Sequence, residues 1–280
     1  MKHLLMLTII FCFLCQTRKD KMKVDIEHII SQLDEPCRNL LEEVSKHVTI
    51  NFELREDGEH LCDYINTKRN DQAIPIEGRL RFYEPLAKEK IAHELLHAKC
   101  GYLLGDDRHL FNTIKKMNPI TQIILNKNIC NSILNQTEHY IFYRDYVNMG
   151  YTSKLFVEGV YFDERGWEIF NKNWKMKVNE NGVTGIYNLI CALHHILLFP
   201  IDNRFRSIEK ELKRMNGQLY TIFKEFACSI SNVRLEKNKL QPLEQNYEQL
   251  STNIDQWLQN NNIVIINTDN PTLRCTRETL

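Results

Sequence analysis

The chain has 280 residues, which is enough for one or two domains with a substantial core. Its residues are 43% hydrophobic and 26% charged, as in an ordinary soluble globular protein, and the low count of 10 Gly and 7 Pro favours long helices over a many-stranded barrel. The formal net charge is zero, so no basic excess points to nucleic acid or to an acidic membrane surface as a partner.

An apolar segment near the N-terminus predicts a leader over residues 1–21. Leu4 to Cys15 is apolar apart from Thr8, and this run is too short to span a bilayer but is typical of the centre of a secretory signal. We therefore expect a signal over residues 1–17 and an exported or cell-envelope protein, associated with a membrane only if this segment is retained. The alternative is a start at Met22, which leads directly into an amphipathic helix and would leave a cytoplasmic protein.

Hydrophobic periodicity predicts the elements that follow. A first helix runs from Val24 to His47 with an interruption near Pro36, and Asp57-Gly58 is predicted to be a hairpin turn. The predicted strands are Val48–Leu54, His60–Ile65 and Arg79–Tyr83. The predicted helices are Ala87–Leu104, 109–117, 120–148, 152–171, 184–198, 204–231 and 242–260, and a short apolar run follows at Ile263–Ile266.

These elements predict an α+β, predominantly helical fold. In it a small N-terminal sheet packs on the helix Ala87–Leu104, and a helical C-terminal part follows. We assign residues 22–171 to one domain. Residues 172–280 form a helical C-terminal region that either belongs to the same domain or is separate.

The sequence His93-Glu94-Leu-Leu-His97 lies within the predicted helix Ala87–Leu104. Residues four apart stand on the same face of a helix, so His93 and His97 can bind one metal ion together. Glu94 lies about 100° around the helix, where it can take a proton from a metal-activated water without being a ligand. The alternative is an amphipathic helix with two structural histidines.

This motif resembles that of the zincin metallopeptidases, whose HExxH pattern supplies two zinc ligands and a general base. The resemblance implies that His93 and His97 bind Zn2+ and that Glu94 is the catalytic base. The family pattern has uncharged residues around the motif, as here at Ile91, Leu95, Leu96 and Ala98. Lys99 departs from it. Residues 22–171 would then form a zincin-like domain.

A catalytic zinc usually has three protein ligands and one open position. The metzincin pattern fails here, because Cys100 and Leu103 stand where it has Gly and His. Gluzincins take a Glu from a second helix, and the predicted helix Asn131–Met149 offers Glu138. Its apolar neighbours make an unpaired carboxylate costly. Glu138 is therefore the predicted third ligand, in a gluzincin-like site.

His139 is the alternative third ligand. Adjacent helical residues point about 100° apart, so Glu138 and His139 are not expected to bind the same ion. His139 shares its face with polar Asn135 and Gln136, and it can instead donate to the oxyanion formed when water attacks a carbonyl. We therefore also name His139 a catalytic candidate, with Asn135 able to orient either side chain.

Other polar residues are weaker candidates. Asp106, Asp107 and His109 follow the motif helix closely, where solvent exposure or capping is the simpler interpretation of the two acids. His194 and His195 lie in an apolar helix and are more simply core histidines. Without Cys12 and Cys15 the chain has seven scattered cysteines and no CxxC pair, so we expect mostly free thiols.

The sequence thus leaves three hypotheses for function. The first is a zinc-dependent peptidase that acts on a peptide or protein substrate, with Glu94 as general base. The second is a non-catalytic helical interaction or regulatory module with a structural metal site or none. The third is a metal-dependent hydrolase of a non-peptide bond, which the motif alone does not exclude.

Overall fold

A computed structural model of the protein describes residues 26–55, 62–70, 74–83, 85–104, 108–153, 156, 183–193, 203–235, 243–261, 263–265 and 273–275. The helices are α1 (Ile26–Gln32), α2 (Glu35–Ser45), α3 (Lys88–Leu103), α4 (Arg108–Ile114), α5 (Pro119–Ile124), α6 (Lys127–Asn148), α7 (Val183–Leu193), α8 (Asn203–Met215), α9 (Gly217–Ile230) and α10 (Glu244–Asn260). The strands are β1 (Thr49–Leu54), β2 (Asp63–Arg69), β3 (Pro75–Phe82), β4 (Ile263–Ile265) and β5 (Leu273–Cys275). The predicted α+β, predominantly helical class is confirmed.

The N-terminal sheet has the strand order β1-β3-β2, with β1 parallel and β2 antiparallel to β3. The predicted hairpin at Asp57-Gly58 is therefore wrong, because a two-residue turn would pair β1 with β2. Instead β3 takes the centre, where its Leu80 and Phe82 are buried. The strand with the most buried apolar side chains gains most from neighbours on both edges. The turn residues themselves lie outside the described part of the chain.

The two faces of this sheet differ in chemistry. On the outer face, Arg79 pairs with Glu53 at 3.0 Å and the Arg81 Nε donates to Asp63 at 2.7 Å. On the inner face, β3 packs on α3. This arrangement leaves the ion pairs in contact with water and gives α3, the helix that carries the His93–His97 motif, an apolar surface to pack on.

Gly78 lets Tyr64 lie flat on the inner face of the sheet. A methyl group at this position would lie 2.2 Å from the Tyr64 ring. We expect Gly78→Ala to lower the free energy of unfolding by about 1–3 kcal/mol, because the ring must move or the strands must separate. Denaturant unfolding measures this. Gly217→Ala is the matched control, since nothing lies within 4 Å of the added carbon, and an equal loss in the control would contradict the expectation.

The motif helix α3 agrees with the predicted Ala87–Leu104. Lys99, which departs from the zincin pattern, forms an ion pair with Glu43 of α2 at 3.0 Å, and both side chains are largely buried, at 11% and 18% exposure. This buried pair accounts for a charge at a position where an apolar side chain is usual. It ties the motif helix to α2.

Two predicted long helices are each broken into two. The segment 120–148 divides into α5 and α6, and 204–231 divides into α8 and α9. Each break falls at an asparagine: the Asn126 side chain accepts from the backbone N–H of Ile129 at 3.2 Å, and Asn216 accepts from that of Leu219 at 3.0 Å. An asparagine that caps the next helix competes with continuation of the previous one.

The C-terminal helices join the same core as the N-terminal half. Helix α10 packs against α4 and α9. Its Asp255 carboxylate accepts hydrogen bonds from the Asn118 N–H, at 3.3 Å, and from the Thr121 hydroxyl. One cluster of buried apolar residues extends from Ile29 to Ile263. Residues on both sides of position 171 therefore share one core.

The predicted leader and most of the predicted helix 152–171 lie outside the described residues. Across the ranges that the structure describes, no helix is both long enough and apolar enough to cross a membrane. Six cysteines whose side chains the structure describes are free thiols, as predicted: Cys37, Cys62, Cys100, Cys130, Cys191 and Cys228.

Asp34 connects three elements around the start of α2. Its carboxylate caps the helix by accepting from the Cys37 N–H at 3.2 Å, accepts from the Tyr151 hydroxyl at 2.7 Å, and pairs with Lys88 at 3.1 Å. Burial alone would raise the pKa of Asp34, but these hydrogen bonds and the Lys88 charge outweigh it, so the pKa is lowered below 3.8.

We expect Asp34→Ala to lower the free energy of unfolding by about 2–4 kcal/mol, because a helix loses its cap and the buried Tyr151 hydroxyl loses its acceptor. A lowered folded pKa means that this stabilisation is complete above pH 3.8 and is lost as the pH falls through the folded value. Unfolding titrations from pH 7 to 2 test both points. A variant with unchanged stability at pH 7, or with the acid dependence of the wild type, would contradict the assignment.

Candidate metal centre

Helices α3 and α6 bring three histidine side chains to one point. His93 and His97 stand one turn apart on α3, and His139 comes from α6. The Nε2 atom of His139 lies 3.2 Å from the Nε2 of His93 and 2.9 Å from the Nε2 of His97. His93 and His139 are buried, with 7% and 2% exposure. These three histidines form a group whose ligand atoms lie close enough together to hold a metal ion.

The distances from the His139 Nε2 to the other two nitrogens, 3.2 and 2.9 Å, are close to the ligand separation around a tetrahedral ion. Ligands about 2.0–2.1 Å from such an ion lie about 3.3 Å from one another. Hydrogen bonds alone do not account for three imidazole nitrogens that face one point, because a neutral imidazole offers only one N–H and one lone pair. The His97 Nδ1 faces a carboxylate and carries its proton there, so in the neutral ring Nε2 presents a lone pair to the centre. A cation at the centre satisfies all three nitrogens at once.

Glu138 lies next to His139 in sequence but has a different contact. Its Oε2 atom accepts from the Nδ1 of His97 at 2.6 Å. The three converging ligand atoms therefore include His139 and not Glu138, the residue predicted to be the third ligand. The physical reason is the angle of about 100° between adjacent helical residues, which lets only one of the two face the centre.

Burial and charge shift the three imidazoles differently. Burial lowers the pKa of His93 and of His139 well below the usual value, and the nearby His97 adds to this. Burial also disfavours the charged form of His97, but the hydrogen bond and charge of Glu138, with the charge of Glu94, raise its pKa overall. Two of the three rings are therefore neutral, which is the form that binds metals.

Glu94 lies in the same cleft and is held by the sheet. Its Oε2 atom accepts from the backbone N–H of Tyr64, in β2, at 2.9 Å. Burial raises the pKa of Glu94 to about 7, against the opposing effects of His97 and of the Tyr64 N–H. The structure thus places the predicted general base beside the histidines, with one carboxylate oxygen fixed.

Aromatic rings form the closed side of the centre. The His93 ring lies 5.2 Å from that of Phe142 and 5.0 Å from that of Phe156, centre to centre. Among the described residues, the buried His93 Nδ1 has no hydrogen-bond partner. The sequence did not single out Phe156, since an aromatic residue in an apolar segment is the commonest kind of core residue. These rings exclude water from one side of the histidines.

An open cleft lies on the other side. One wall is β2 with Asp63, Tyr64, Ile65 and Asn66; the other is the N-terminal half of α6 with Asn131, Leu134, Asn135 and Glu138. His93, Glu94, His97 and His139 lie at its base. A molecule entering this cleft therefore reaches the histidines and the carboxylate together.

Cys100, on the motif helix, is buried, and burial raises its pKa well above the usual value, as for a thiol that fills the core. None of the weaker candidate residues has a side chain that the structure describes. Asp106, Asp107, His194 and His195 lie outside the described residues, and the side chain of His109 is likewise not described.

No protein-family model matches the chain, and no match is found among curated proteins or among solved structures. Support for a function therefore comes from the histidine cluster and the cleft around it. What the structure shows is that His93, His97 and His139 can hold a metal ion.

Proposed function

We propose that this protein is a zinc-dependent peptidase in which His93, His97 and His139 are the metal ligands and Glu94 is the general base. The observation that carries the proposal is the convergence of the three imidazoles beside the half-buried Glu94 carboxylate in an open cleft. Glu138 takes the role of a hydrogen-bond acceptor that orients His97.

Zinc is the ion that this donor set favours. Three imidazoles with one open position are the ligand set of catalytic zinc, whereas structural zinc sites are closed by four protein ligands. When bound, zinc supplies Lewis-acid chemistry: it polarises a carbonyl and lowers the pKa of water towards neutrality. Within the described ranges the converging group has three members and faces a cleft, which supports a catalytic site over a structural one.

Glu94 is placed to move protons during hydrolysis. The Tyr64 N–H holds one of its carboxylate oxygens at 2.9 Å and so fixes the direction of the other. A carboxylate held in this way can accept a proton from the attacking water and deliver it to the leaving amine. Its position on α3, next to His93, keeps it out of the ligand set.

Metal analysis and hydrolysis of an unfolded protein test the proposal together. We expect one zinc ion per chain in protein purified without chelator, and cleavage of unfolded casein that stops when a chelator removes the metal and resumes on addition of zinc. Protein that carries no metal and takes up none would overturn the proposal. Metal-loaded protein that cleaves no peptide bond would overturn the peptidase part alone.

A further inference from the structure

Two asparagines stand on the α6 wall of the cleft with no assigned role. Asn131 and Asn135 are exposed and line the cleft that leads to the histidines. They are four residues apart, so their side chains lie on the same face of the helix. Across the described ranges, neither carboxamide has a hydrogen-bond partner. Both are available to a ligand in the cleft.

Each carboxylate of the cleft already accepts a hydrogen bond within the protein. Asp63 accepts from Arg81, Glu94 accepts from the Tyr64 N–H, and Glu138 accepts from His97. The two carboxamides thus remain as neutral groups that can each donate and accept. A peptide group has the same two capacities, one N–H and one C=O. The two carboxamides therefore match a main chain better than they match a charged side chain.

The spacing of the pair matches an extended chain. Residues four apart on a helix are separated by about 6 Å along its axis. In an extended strand, alternate residues are separated by about 6.4–6.8 Å. Two carboxamides one helical turn apart can therefore reach alternate peptide groups of a chain that runs along α6.

The opposite wall suits the same ligand. Strand β2 is at the edge of the three-stranded sheet and forms that wall from Asp63 to Asn66. An edge strand presents backbone N–H and C=O groups to a chain laid beside it. A polypeptide in the cleft would thus have β2, whose Tyr64 N–H already donates to Glu94, on one side and the two carboxamides on the other.

We propose that Asn131 and Asn135 bind main-chain peptide groups of an extended polypeptide substrate and hold it across the metal centre. This inference rests on the proposed function and names its substrate class: unfolded or extended polypeptide, selected by backbone conformation more than by side-chain charge. The two asparagines are positioning residues on this assignment, since they touch the substrate away from the bond that is cleaved.

The double variant Asn131→Ala/Asn135→Ala tests the assignment, with unfolded, fluorescein-labelled casein as the probe. We expect kcat/KM to fall about ten-fold or more, because each lost hydrogen bond contributes roughly 3- to 10-fold. The loss should be a rise in KM, with kcat unchanged. Asn128→Ala is the matched control, because Asn128 is exposed on the same helix but does not line the cleft. Metal content confirms that the centre is intact.

N-methylation of the substrate backbone provides a second test of the same assignment. A casein-derived peptide with single N-methylated amides, scanned along its length, should bind the wild type more weakly when the methyl group is on an amide that contacts Asn131 or Asn135. This loss at those positions should disappear in the double variant. A purely structural role for the asparagines would not produce this coupling.

Binding of the same labelled probe to zinc-loaded Glu94→Gln protein, followed by fluorescence anisotropy, separates the two proposals. Weaker binding in the double variant supports the asparagine assignment even if the wild type hydrolyses nothing. Hydrolysis by the wild type with an unchanged KM in the double variant overturns the assignment and leaves the peptidase. A metal-loaded wild type that neither binds nor cleaves the probe overturns both.

Discussion

Replacing His139 by Ala should abolish tight metal binding by the histidine cluster. The His139 Nε2 lies within 3.2 Å of both other imidazole nitrogens, so its loss removes one of the three proposed ligands and opens a gap in the candidate site. We expect the affinity for zinc to fall by more than about 100-fold, beyond the 10- to 100-fold typical of an outer-shell partner. Elemental analysis after gel filtration, followed by a competition titration with a chelating dye, measures both content and affinity.

A second variant, Glu138→Gln, distinguishes Glu138 from His139 as the third ligand. It removes the charge that holds the His97 Nδ1 proton, at 2.6 Å, but leaves all three converging nitrogens in place. Zinc should therefore remain, bound roughly 10- to 100-fold more weakly. The opposite result, with metal lost in Glu138→Gln and kept in His139→Ala, would make Glu138 the ligand. His28→Ala, in exposed α1, is the control for loss of a histidine elsewhere.

Replacing Glu94 by Gln should stop hydrolysis while the metal stays. Gln has the same shape and can still accept the Tyr64 N–H, so the cleft wall is preserved, but an amide cannot take up the proton. We expect kcat to fall by about 10²- to 10⁴-fold, the usual contribution of a positioned general base. Single-turnover cleavage of casein alongside zinc analysis separates the chemical step from metal loss.

Glu89→Gln gives the matched control for this second expectation. Glu89 lies in the first turn of the same helix and does not line the cleft. The Glu89→Gln protein should therefore hydrolyse substrate at the wild-type rate. A Glu94→Gln protein that keeps full activity and bound zinc would remove Glu94 from the mechanism. In that case proton transfer would have to come from another group in the cleft.

Much of the local structure could be predicted from periodicity. The motif helix, the three N-terminal strands and the interruption before Pro36 are all found close to their predicted positions. The breaks at Asn126 and Asn216 were missed because the apolar pattern continues across them, and only the capping contacts show that the helix ends. The strand order was also missed, since the Asp57-Gly58 signal describes a turn and not which strand lies in the centre.

Sequence patterns did not predict which of Glu138 and His139 faces the other two histidines. Apolar neighbours favoured Glu138, and polar Asn135 and Gln136 suggested a wetter face for His139. Gln136 and His139 are in fact buried, whereas Glu138 is part exposed at the cleft. Helical spacing states that the two side chains point apart, but it does not state which one points at α3.

The amino-acid pattern alone is enough to place His93, Glu94 and His97 on one helix with the spacing of a metal site, because a helix of 3.6 residues per turn fixes those directions locally. The packing of α6 against α3 makes His139 the third member of the group and Glu138 the hydrogen-bond acceptor of His97. Which of the two adjacent side chains faces the centre depends on how α6 is rotated about its own axis against α3. Phe142 of α6 and Phe156, which lies outside both helices, pack against the His93 ring, and such contacts between elements are not encoded by the pattern of either helix alone.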